Sequence, residues 1–275
     1  MTVAAQQGFA EVNRTRLYYE VAGSGHPLVL IHGGLMDNTM WDEQFAAFAQ
    51  CYRTIRYDIR AFGQSDLPTG SEPYSMYEDL HALLKFLGVE KTYMLGLSMG
   101  GSIAIDFTLA HPEMVDALVL VGPGLNGYDF TPGDMAPLFE EEEAAYERGD
   151  FEQASELENR IWVDGRGRTP EQVNPAVRKH VYDMNLHNYQ RMAGKDLPEP
   201  QKLEPLANTR LGEIRVPTLI IVGDRDVQAI QDIVDILAKE IPGAQKVVMR
   251  DTAHVPNMEK PDEFNRIVLD FLQSL

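Results

Sequence analysis

The chain has 275 residues, of which 44% are hydrophobic and 24% charged, and its formal net charge is −18. The hydrophobic fraction is ordinary for a globular protein, whereas the strong negative charge repels phosphate backbones and anionic lipid. We therefore expect no nucleic-acid partner and no membrane partner, and the sequence leaves the oligomeric state open. No apolar run approaches the roughly 20 residues that span a bilayer, and the N-terminus lacks the pattern of a secretory signal, so we expect a cytoplasmic protein.

The chain contains one cysteine, Cys51, so an internal disulfide cannot form. Cys51 precedes the apolar run of residues 52–57, and a free cysteine in such a place is usually a small buried hydrophobe. We expect Cys51 to be buried rather than reactive.

Strand and helix signals alternate along the first 121 residues. Residues 27–31 form a continuous apolar run, which is typical of a strand buried on both faces of a sheet. Residues 77–87 repeat leucine at helical spacing, and Gly88 follows as a helix stop. Further strands are predicted at 16–21, 53–57, 117–121 and just before Ser98, and further helices at 41–48 and just after Ser98. This alternation predicts an α/β fold with a mostly parallel open sheet and helices on both faces.

The alternation stops after residue 121. Residues 134–191 have a helical and charged pattern without buried-strand runs, and the Glu140–Glu143 run is typical of a solvated helix face. Residues 195–206 contain three prolines and are predicted to be a linker. Strand signals return at 218–222 and 246–249, with helices at 230–237 and 264–272. We predict a core formed by residues 1–124 and 207–275, interrupted by a helical cap at residues 125–206.

A possible nucleophile stands at the junction of a predicted strand and a predicted helix. The pentapeptide there is Gly96-Leu97-Ser98-Met99-Gly100. A Gly-x-Ser-x-Gly turn between a strand and a helix holds its serine in a strained, exposed conformation, and the flanking glycines let neighbouring backbone approach closely. The residue after such a serine donates its backbone N–H to an oxyanion, so we assign Met99 to this role.

A nucleophilic serine needs a base, and the base needs a carboxylate that orients it. In an open parallel sheet these groups lie at the carboxyl ends of strands. Asp224 and Asp226 follow the strand at 218–222, and His254 follows the strand at 246–249. The chain order is therefore serine, aspartate, histidine, and the residues alone leave both aspartates as candidates.

Five segments together resemble the α/β-hydrolase superfamily, in its branch of serine esterases, lactonases and carbon–carbon hydrolases. The segments are His32-Gly33-Gly34, the 58–65 segment, Gly96-Leu97-Ser98-Met99-Gly100, Gly223-Asp224-Arg225-Asp226, and the 253–264 segment around His254. The resemblance covers nearly the whole chain. One departure is Ala61, where the family commonly has glycine.

The resemblance implies a catalytic set of Ser98, Asp226 and His254, since the family places the acid at the last position of Gly-x-x-Asp. It also implies that Gly34 supplies the second oxyanion N–H, with Leu35 as the alternative. His32 then shapes this loop and does not act as a base. Dehalogenases and epoxide hydrolases of this fold use aspartate in place of Ser98, so the resemblance excludes them.

The expected function is hydrolysis of a carboxylic ester or lactone through an acyl-serine intermediate. A carbon–carbon hydrolase, a perhydrolase and a receptor without turnover remain alternatives, because a fold does not decide among them. A mainly apolar acyl substrate is expected, with binding residues Leu35, Trp41, Phe139 and Trp162. Neither a metal site nor a cofactor is predicted from the spacing of histidine and acidic residues.

Overall fold

A computed structural model describes residues 5–69 and 73–275 of the chain. Within these residues, an eight-stranded sheet has the order β1-β2-β4-β3-β5-β6-β7-β8. Strand β1 is antiparallel to β2 and β2 is antiparallel to β4, while the other neighbours are parallel. The strands are β1 (Gln6–Val12), β2 (Thr15–Ala22), β3 (Pro27–Ile31), β4 (Arg53–Tyr57), β5 (Thr92–Leu97), β6 (Val115–Val121), β7 (Thr218–Gly223) and β8 (Gln245–Met249). The prediction of a mostly parallel α/β sheet is confirmed.

Helices cover both faces of the sheet. They are α1 (Asp42–Phe48), α2 (Met76–Phe86), α3 (Met99–Ala110), α4 (Ala136–Glu147), α5 (Phe151–Glu158), α6 (Pro175–Met192), α7 (Gln228–Glu240), α8 (Pro256–Glu259) and α9 (Pro261–Gln273). A π-helical segment at Asn159–Asp164 continues α5. No helix in the described parts of the chain is both long and apolar enough to cross a bilayer.

Strand β3 explains the two-sided arrangement. Its side chains alternate between faces, so Leu28 and Leu30 join the core cluster under α1 and α9, while Val29 and Ile31 join the cluster under α2, α3 and α7. All four side chains are fully buried. A continuous apolar run is therefore required here, since neither face of this strand meets water.

The segment between β6 and β7 carries α4, α5 and α6 and, within its described residues, no strand. Arg191 of α6 fastens it to the loop after β4. The Arg191 guanidinium donates to the carbonyl oxygens of Ala61, Gly63 and Ser65 at 3.2, 2.7 and 2.6 Å. The predicted cap boundaries at 124/125 and 206/207 stay a prediction. Helices α4, α5 and α6 occupy parts of the 134–191 stretch that was predicted to be helical, with α6 ending one residue beyond it.

The expectation for Cys51 is wrong, and one strand was missed. Cys51 is exposed, because it lies in the turn after α1 and before β4 begins at Arg53. Strand β1 was not predicted, because it is an edge strand whose side chains are mostly exposed and therefore lack an apolar run.

Truncation of a core aromatic on α9 tests the packing of the sheet face. Phe264 is fully buried beside Trp41, with ring centroids 6.3 Å apart. We expect Phe264→Ala to lower the free energy of unfolding by about 3–5 kcal/mol, measured by urea denaturation. Phe86→Ala is the matched control, since Phe86 is 52% exposed at the end of α2. A loss as large in the control as in Phe264→Ala would contradict this account of the core.

Candidate active site

Ser98 forms a sharp corner between β5 and α3. Its backbone has φ 55° and ψ −117°, a conformation that L-residues rarely adopt. The corner is tied to its surroundings, since the Ser98 N–H donates to Val121 O at 3.0 Å and the Gly124 N–H donates to Ser98 O at 2.9 Å. The strain is therefore maintained by hydrogen bonds to the end of β6 and the loop that follows it.

The two flanking glycines allow backbone to approach this corner. A Cβ on Gly96 would lie 2.3 Å from Gly100 O, and a Cβ on Gly100 would lie 2.2 Å from Ile31 O. Both distances are far below a normal van der Waals contact, and the atoms concerned belong to backbone that cannot swing aside. Glycine at these positions lets α3 begin directly against β3 and β5.

His254 and Asp226 form a buried pair beside this corner. His254 Nδ1 lies 2.8 Å from Asp226 Oδ2, and both side chains are at most 3% exposed. The second oxygen of Asp226 accepts from the Val227 N–H at 2.8 Å. His254 Nε2 is buried and has no hydrogen-bond partner among the described residues. The imidazole is thus oriented through one nitrogen, and the other is left available.

The geometry separates the two candidate aspartates. Asp224 is half-buried, and its carboxylate accepts from the Asp251 N–H at 2.6 Å instead of meeting a histidine. Asp251 itself is exposed. Asp226 is therefore the carboxylate that contacts His254, at the last position of Gly-x-x-Asp.

The loop that carries His254 is held by the π-helical segment. The His254 N–H donates to Trp162 O at 3.0 Å, and the Trp162 ring lies against the imidazole with centroids 4.4 Å apart. Behind them, Arg168 pairs with the buried carboxylate of Glu259 at 2.7 Å, and Glu259 accepts from the Ala253 N–H at 2.6 Å. Burial raises the pKa of Glu259, while the Arg168 guanidinium opposes this shift.

His32 shapes the loop after β3. The Ile59 N–H donates to His32 Nε2 at 2.9 Å, so the proton lies on Nδ1, which donates to Gly33 O at 2.7 Å. Burial lowers the pKa of His32 and favours this neutral form. Further along the loop, Leu35 has a positive φ of 55°. The fully buried Asn188 of α6 donates to Leu35 O at 3.0 Å. The two hydrogen bonds of His32 agree with a structural role for this residue, and Asn188 holds the same loop from α6.

A cavity of about 140 Å³ joins these elements. It is lined by Gly33, Gly34, Leu35, Met36, Ser98, Glu158, Trp162 and His254. Met99 begins α3 beside Ser98, and the first N–H groups of a helix have no partner within it. The structure therefore brings Gly34 and the turn at Ser98 to the same small space, as the proposed oxyanion arrangement needs.

The four residues expected to bind substrate occupy different places. Leu35 and Trp162 line the cavity, and Phe139 packs behind Trp162 with ring centroids 5.6 Å apart. Trp41 does not line it, because its indole is fully buried against Phe264 in the core under α1 and α9. The expectation that Trp41 binds substrate is therefore corrected to a packing role.

Sequence reasoning missed Glu158, which lines the cavity on the side of the helical insertion. It also treated the Glu140–Glu143 run as solvated, yet Glu142 is half-buried and accepts from the Tyr189 hydroxyl at 2.5 Å. The signal for Glu158 was its spacing of four residues from Trp162, which places both on one side of a helix.

A larger cavity, of about 370 Å³, reaches Met99 and Ser102 on α3 but neither Ser98 nor His254. Separately, Glu78, His81 and His111 bring ligand atoms within 4.8 Å of one another. Sequence spacing did not reveal this group, because it joins α2 to the end of α3. Ser98 and His254 both line the smaller cavity.

The alpha/beta hydrolase fold family model matches residues 26–261. The chain belongs to the α/β-hydrolase family. It is 31% identical to a 2-hydroxy-6-oxononadienedioate/2-hydroxy-6-oxononatrienedioate hydrolase of Burkholderia vietnamiensis, over 94% of this chain and 91% of that protein. It is 27% identical to carboxylesterase YbfK of Bacillus subtilis, over 89% of this chain and 79% of that protein. These relatives support a hydrolase reaction for this fold.

A solved structure adds a third relative. The enol-lactonase from Burkholderia xenovorans is similar with a TM-score of 0.77 and 26% identity, over 97% of this chain and 100% of that one. The similar proteins thus include a dienedioate hydrolase, a carboxylesterase and a lactonase, which is the branch that the sequence motifs resemble.

Adding a single methyl group at the corner tests its close packing. We expect Gly100→Ala to lower the free energy of unfolding by about 3 kcal/mol, because its Cβ would overlap backbone oxygens of β3 and the following loop. Gly212→Ala is the control, since no atom lies within 4 Å of a Cβ built there. Urea midpoints compare the two variants, and equal stability would contradict the packing described for the Ser98 turn.

Proposed function

We propose that this protein is a serine hydrolase that cleaves a small, neutral carboxylic ester or lactone through an acyl-serine intermediate. The observation that carries the proposal is the free, buried Nε2 of His254, oriented by Asp226 through Nδ1 and bordering the same cavity as Ser98. A serine hydroxyl with a base in reach, and a carboxylate behind that base, is the arrangement that acyl transfer needs.

In the proposed reaction, His254 Nε2 takes the Ser98 hydroxyl proton as the serine oxygen bonds to the substrate carbonyl carbon. The Met99 and Gly34 N–H groups stabilise the resulting oxyanion. The C–O bond to the alcohol then breaks, and the alcohol leaves with the proton from His254. Water then attacks the acyl-serine and gives its proton to His254. The acyl C–O bond to Ser98 breaks, the serine oxygen takes that proton back from His254, and the acid is released. Asp226 keeps the imidazole in the required tautomer throughout.

Ser98 and His254 are not hydrogen-bonded in this structure, since Nε2 has no partner in the described chain. Such contacts are often loose in free enzymes and tighten when substrate binds. The Ser98 hydroxyl is therefore expected to rotate towards Nε2 as the carbonyl enters the cavity.

The lining of the cavity favours a neutral substrate. Among the described residues, its lining includes one carboxyl, that of Glu158, and no lysine or arginine. The substrate named for the Burkholderia vietnamiensis relative is a dioate, whose two carboxylates would enter this space without a cation to balance them. A volume of about 140 Å³ also favours a short acyl group or a small lactone ring.

A panel of substrates tests the reaction class. We expect turnover of 4-nitrophenyl acetate and butyrate and of small lactones, with kcat/KM for the dienedioate at least about 100-fold lower, because its charges would be desolvated without partners. Initial rates are followed by absorbance for the nitrophenyl esters and the dienedioate, and by acid release for the lactones.

The same panel is run on two serine variants. Ser98→Ala is expected to lower kcat by at least about 10³-fold, while Ser102→Ala, in the first turn of α3, keeps most of the activity. Faster cleavage of the dienedioate than of every ester and lactone would overturn the proposal. Tight binding of a small ligand without any turnover would also overturn it, in favour of a receptor.

A further inference from the structure

Glu158 occupies an unusual place on the helical insertion. It is the last residue of α5, and the π-helical segment Asn159–Asp164 begins directly after it. Trp162 lies four residues further on, and both side chains line the cavity that holds Ser98 and His254. Short π-helical stretches are rare and occur frequently at functional sites. The local backbone therefore directs one carboxyl and one indole towards the proposed reaction centre.

Glu158 has no basic partner in the described part of the chain. Its neighbours do, since Arg178 pairs with Glu156 at 2.7 Å and with Asp164 at 2.8 Å. Arg160 adds a second contact to Asp164, at 3.3 Å. Arg178 of α6 and Arg160 of the π-helical segment thus supply cations to Glu156 and Asp164, which lie before and after Glu158 in the chain, and no such pair is formed by Glu158 in the described residues.

The titratable groups around Glu158 come from three other elements. Glu142 of α4 is close enough for its charge to act on Glu158, and Glu142 accepts from the Tyr189 hydroxyl of α6 at 2.5 Å. His254 borders the same cavity from the loop after β8. Two carboxyl groups therefore share a region that contains no lysine or arginine partner for either of them in the described chain.

Burial raises the pKa of Glu158 to about 8, and the charge of Glu142 contributes to this rise, while a hydrogen bond from Trp162 opposes it. The carboxyl is then mainly protonated at neutral pH. An un-ionised carboxyl offers one O–H donor as well as an acceptor oxygen, whereas a carboxylate can only accept. Since the residue is half-buried and open to the cavity, that donor is available to a ligand.

We propose that Glu158 is a specificity-determining residue whose carboxyl, facing the cavity beside Ser98, donates a hydrogen bond to an acceptor oxygen of the bound ester or lactone. The inference rests on the proposed function and refines its substrate class. The substrate is a small neutral ester or lactone with an additional oxygen, such as an ether, hydroxyl or second carbonyl, near the scissile bond. An apolar acyl chain fills the space but leaves the Glu158 donor unpaired.

Two esters of equal length test this donor. 4-Nitrophenyl methoxyacetate replaces one methylene of 4-nitrophenyl butyrate by an ether oxygen, and the measured quantity is the ratio of their kcat/KM values. The two esters differ in intrinsic reactivity, and this difference cancels when the ratio is compared between the wild type and a variant. We expect Glu158→Leu to lower the ratio about tenfold, because the donor is lost. Glu158→Gln is expected to stay within about threefold of the wild type, since its amide also donates. An unchanged ratio in Glu158→Leu would overturn the inference.

The pH dependence of the same ratio shows whether Glu158 acts through its protonated form, which donates a hydrogen bond, or through its ionised form. In the wild type the ratio is expected to stay constant up to about pH 7 and to fall above pH 8, where Glu158 loses its proton. In Glu158→Gln it is expected to stay flat to pH 9. A flat profile in the wild type would overturn the inference.

A cationic substrate tests the alternative that Glu158 is ionised and binds cations. Butyrylthiocholine and its uncharged analogue S-(3,3-dimethylbutyl) thiobutyrate differ by a single positive charge. We expect their ratio of kcat/KM values at pH 7 to be the same in the wild type and Glu158→Gln. A loss of preference for butyrylthiocholine in Glu158→Gln would mean that Glu158 acts as a carboxylate that binds cations, and would overturn the inference.

The pH dependence of thermal stability tests the protonation state of Glu158 in the folded protein without any substrate. Its pKa is raised from 4.5 to about 8 on folding, so the folded state holds a proton that the unfolded state releases. The contribution of the wild-type residue is complete below about pH 4.5 and is lost as the pH rises to 8. The melting temperature of Glu158→Gln minus that of the wild type should therefore increase from pH 5 to pH 9.

The stability measurement also distinguishes a failure of the inference about Glu158 from a failure of the proposed hydrolase function. A constant difference in melting temperature would mean that Glu158 is ionised, which overturns the inference while ester hydrolysis can still hold. An increasing difference without turnover of any ester or lactone would overturn the proposed function and uphold the un-ionised state of Glu158.

Discussion

The strained turn at Ser98 depends on backbone packing that only glycine permits. Gly96 and Gly100 let β5, α3 and the end of β3 approach at distances that a Cβ would block. The positive φ of Ser98 persists because the ends of these elements are fixed by the sheet and by hydrogen bonds to Val121 and Gly124. The rest of the site depends on this corner, because it determines where the Ser98 oxygen and the first N–H groups of α3 lie.

The helical insertion holds the loops that border the cavity. Its Trp162 supports the His254 loop through a backbone hydrogen bond and a ring contact. Its Asn188 donates to the carbonyls of Leu35 and Met36 and accepts from the Gly63 N–H. The insertion is therefore bonded to the loops on both sides of the cavity. A movement of α6 would alter the loop after β3 and, with it, the proposed oxyanion donors.

Much of the fold could be predicted from the sequence, because buried strands need apolar runs and these runs are visible. Residues 53–57 were predicted as a strand and form β4 with the same bounds. The edge strand β1 was missed because water covers most of it. The pairing of Asp226 with His254 was implied by the family resemblance, whereas the order of the motifs alone did not separate Asp226 from Asp224. That distinction needs the turn after β7, which buries one carboxylate and leaves the other half-exposed.

The wall of the cavity was harder to predict, because it depends on how the insertion lies over the sheet. Trp41 and Trp162 are both tryptophans in helical segments, but Trp41 points into the core and Trp162 borders the cavity. Glu158 looked like one more charge on an acidic helix. Charge patterns in a sequence show where carboxylates occur, whereas burial and the absence of a nearby cation become visible only once helices α4, α5 and α6 are packed together.

Labelling by a fluorophosphonate, with its rate and position followed by intact mass and peptide mapping, tests whether Ser98 is a nucleophile activated by His254 and Asp226. The account predicts one adduct per chain, on Ser98, formed at equal rates in the wild type and in Asp224→Asn. It predicts labelling about 10⁴-fold slower in Asp226→Asn, because the buried imidazole loses its orienting carboxylate. An adduct on another residue, or equal rates in Asp226→Asn and Asp224→Asn, would contradict it.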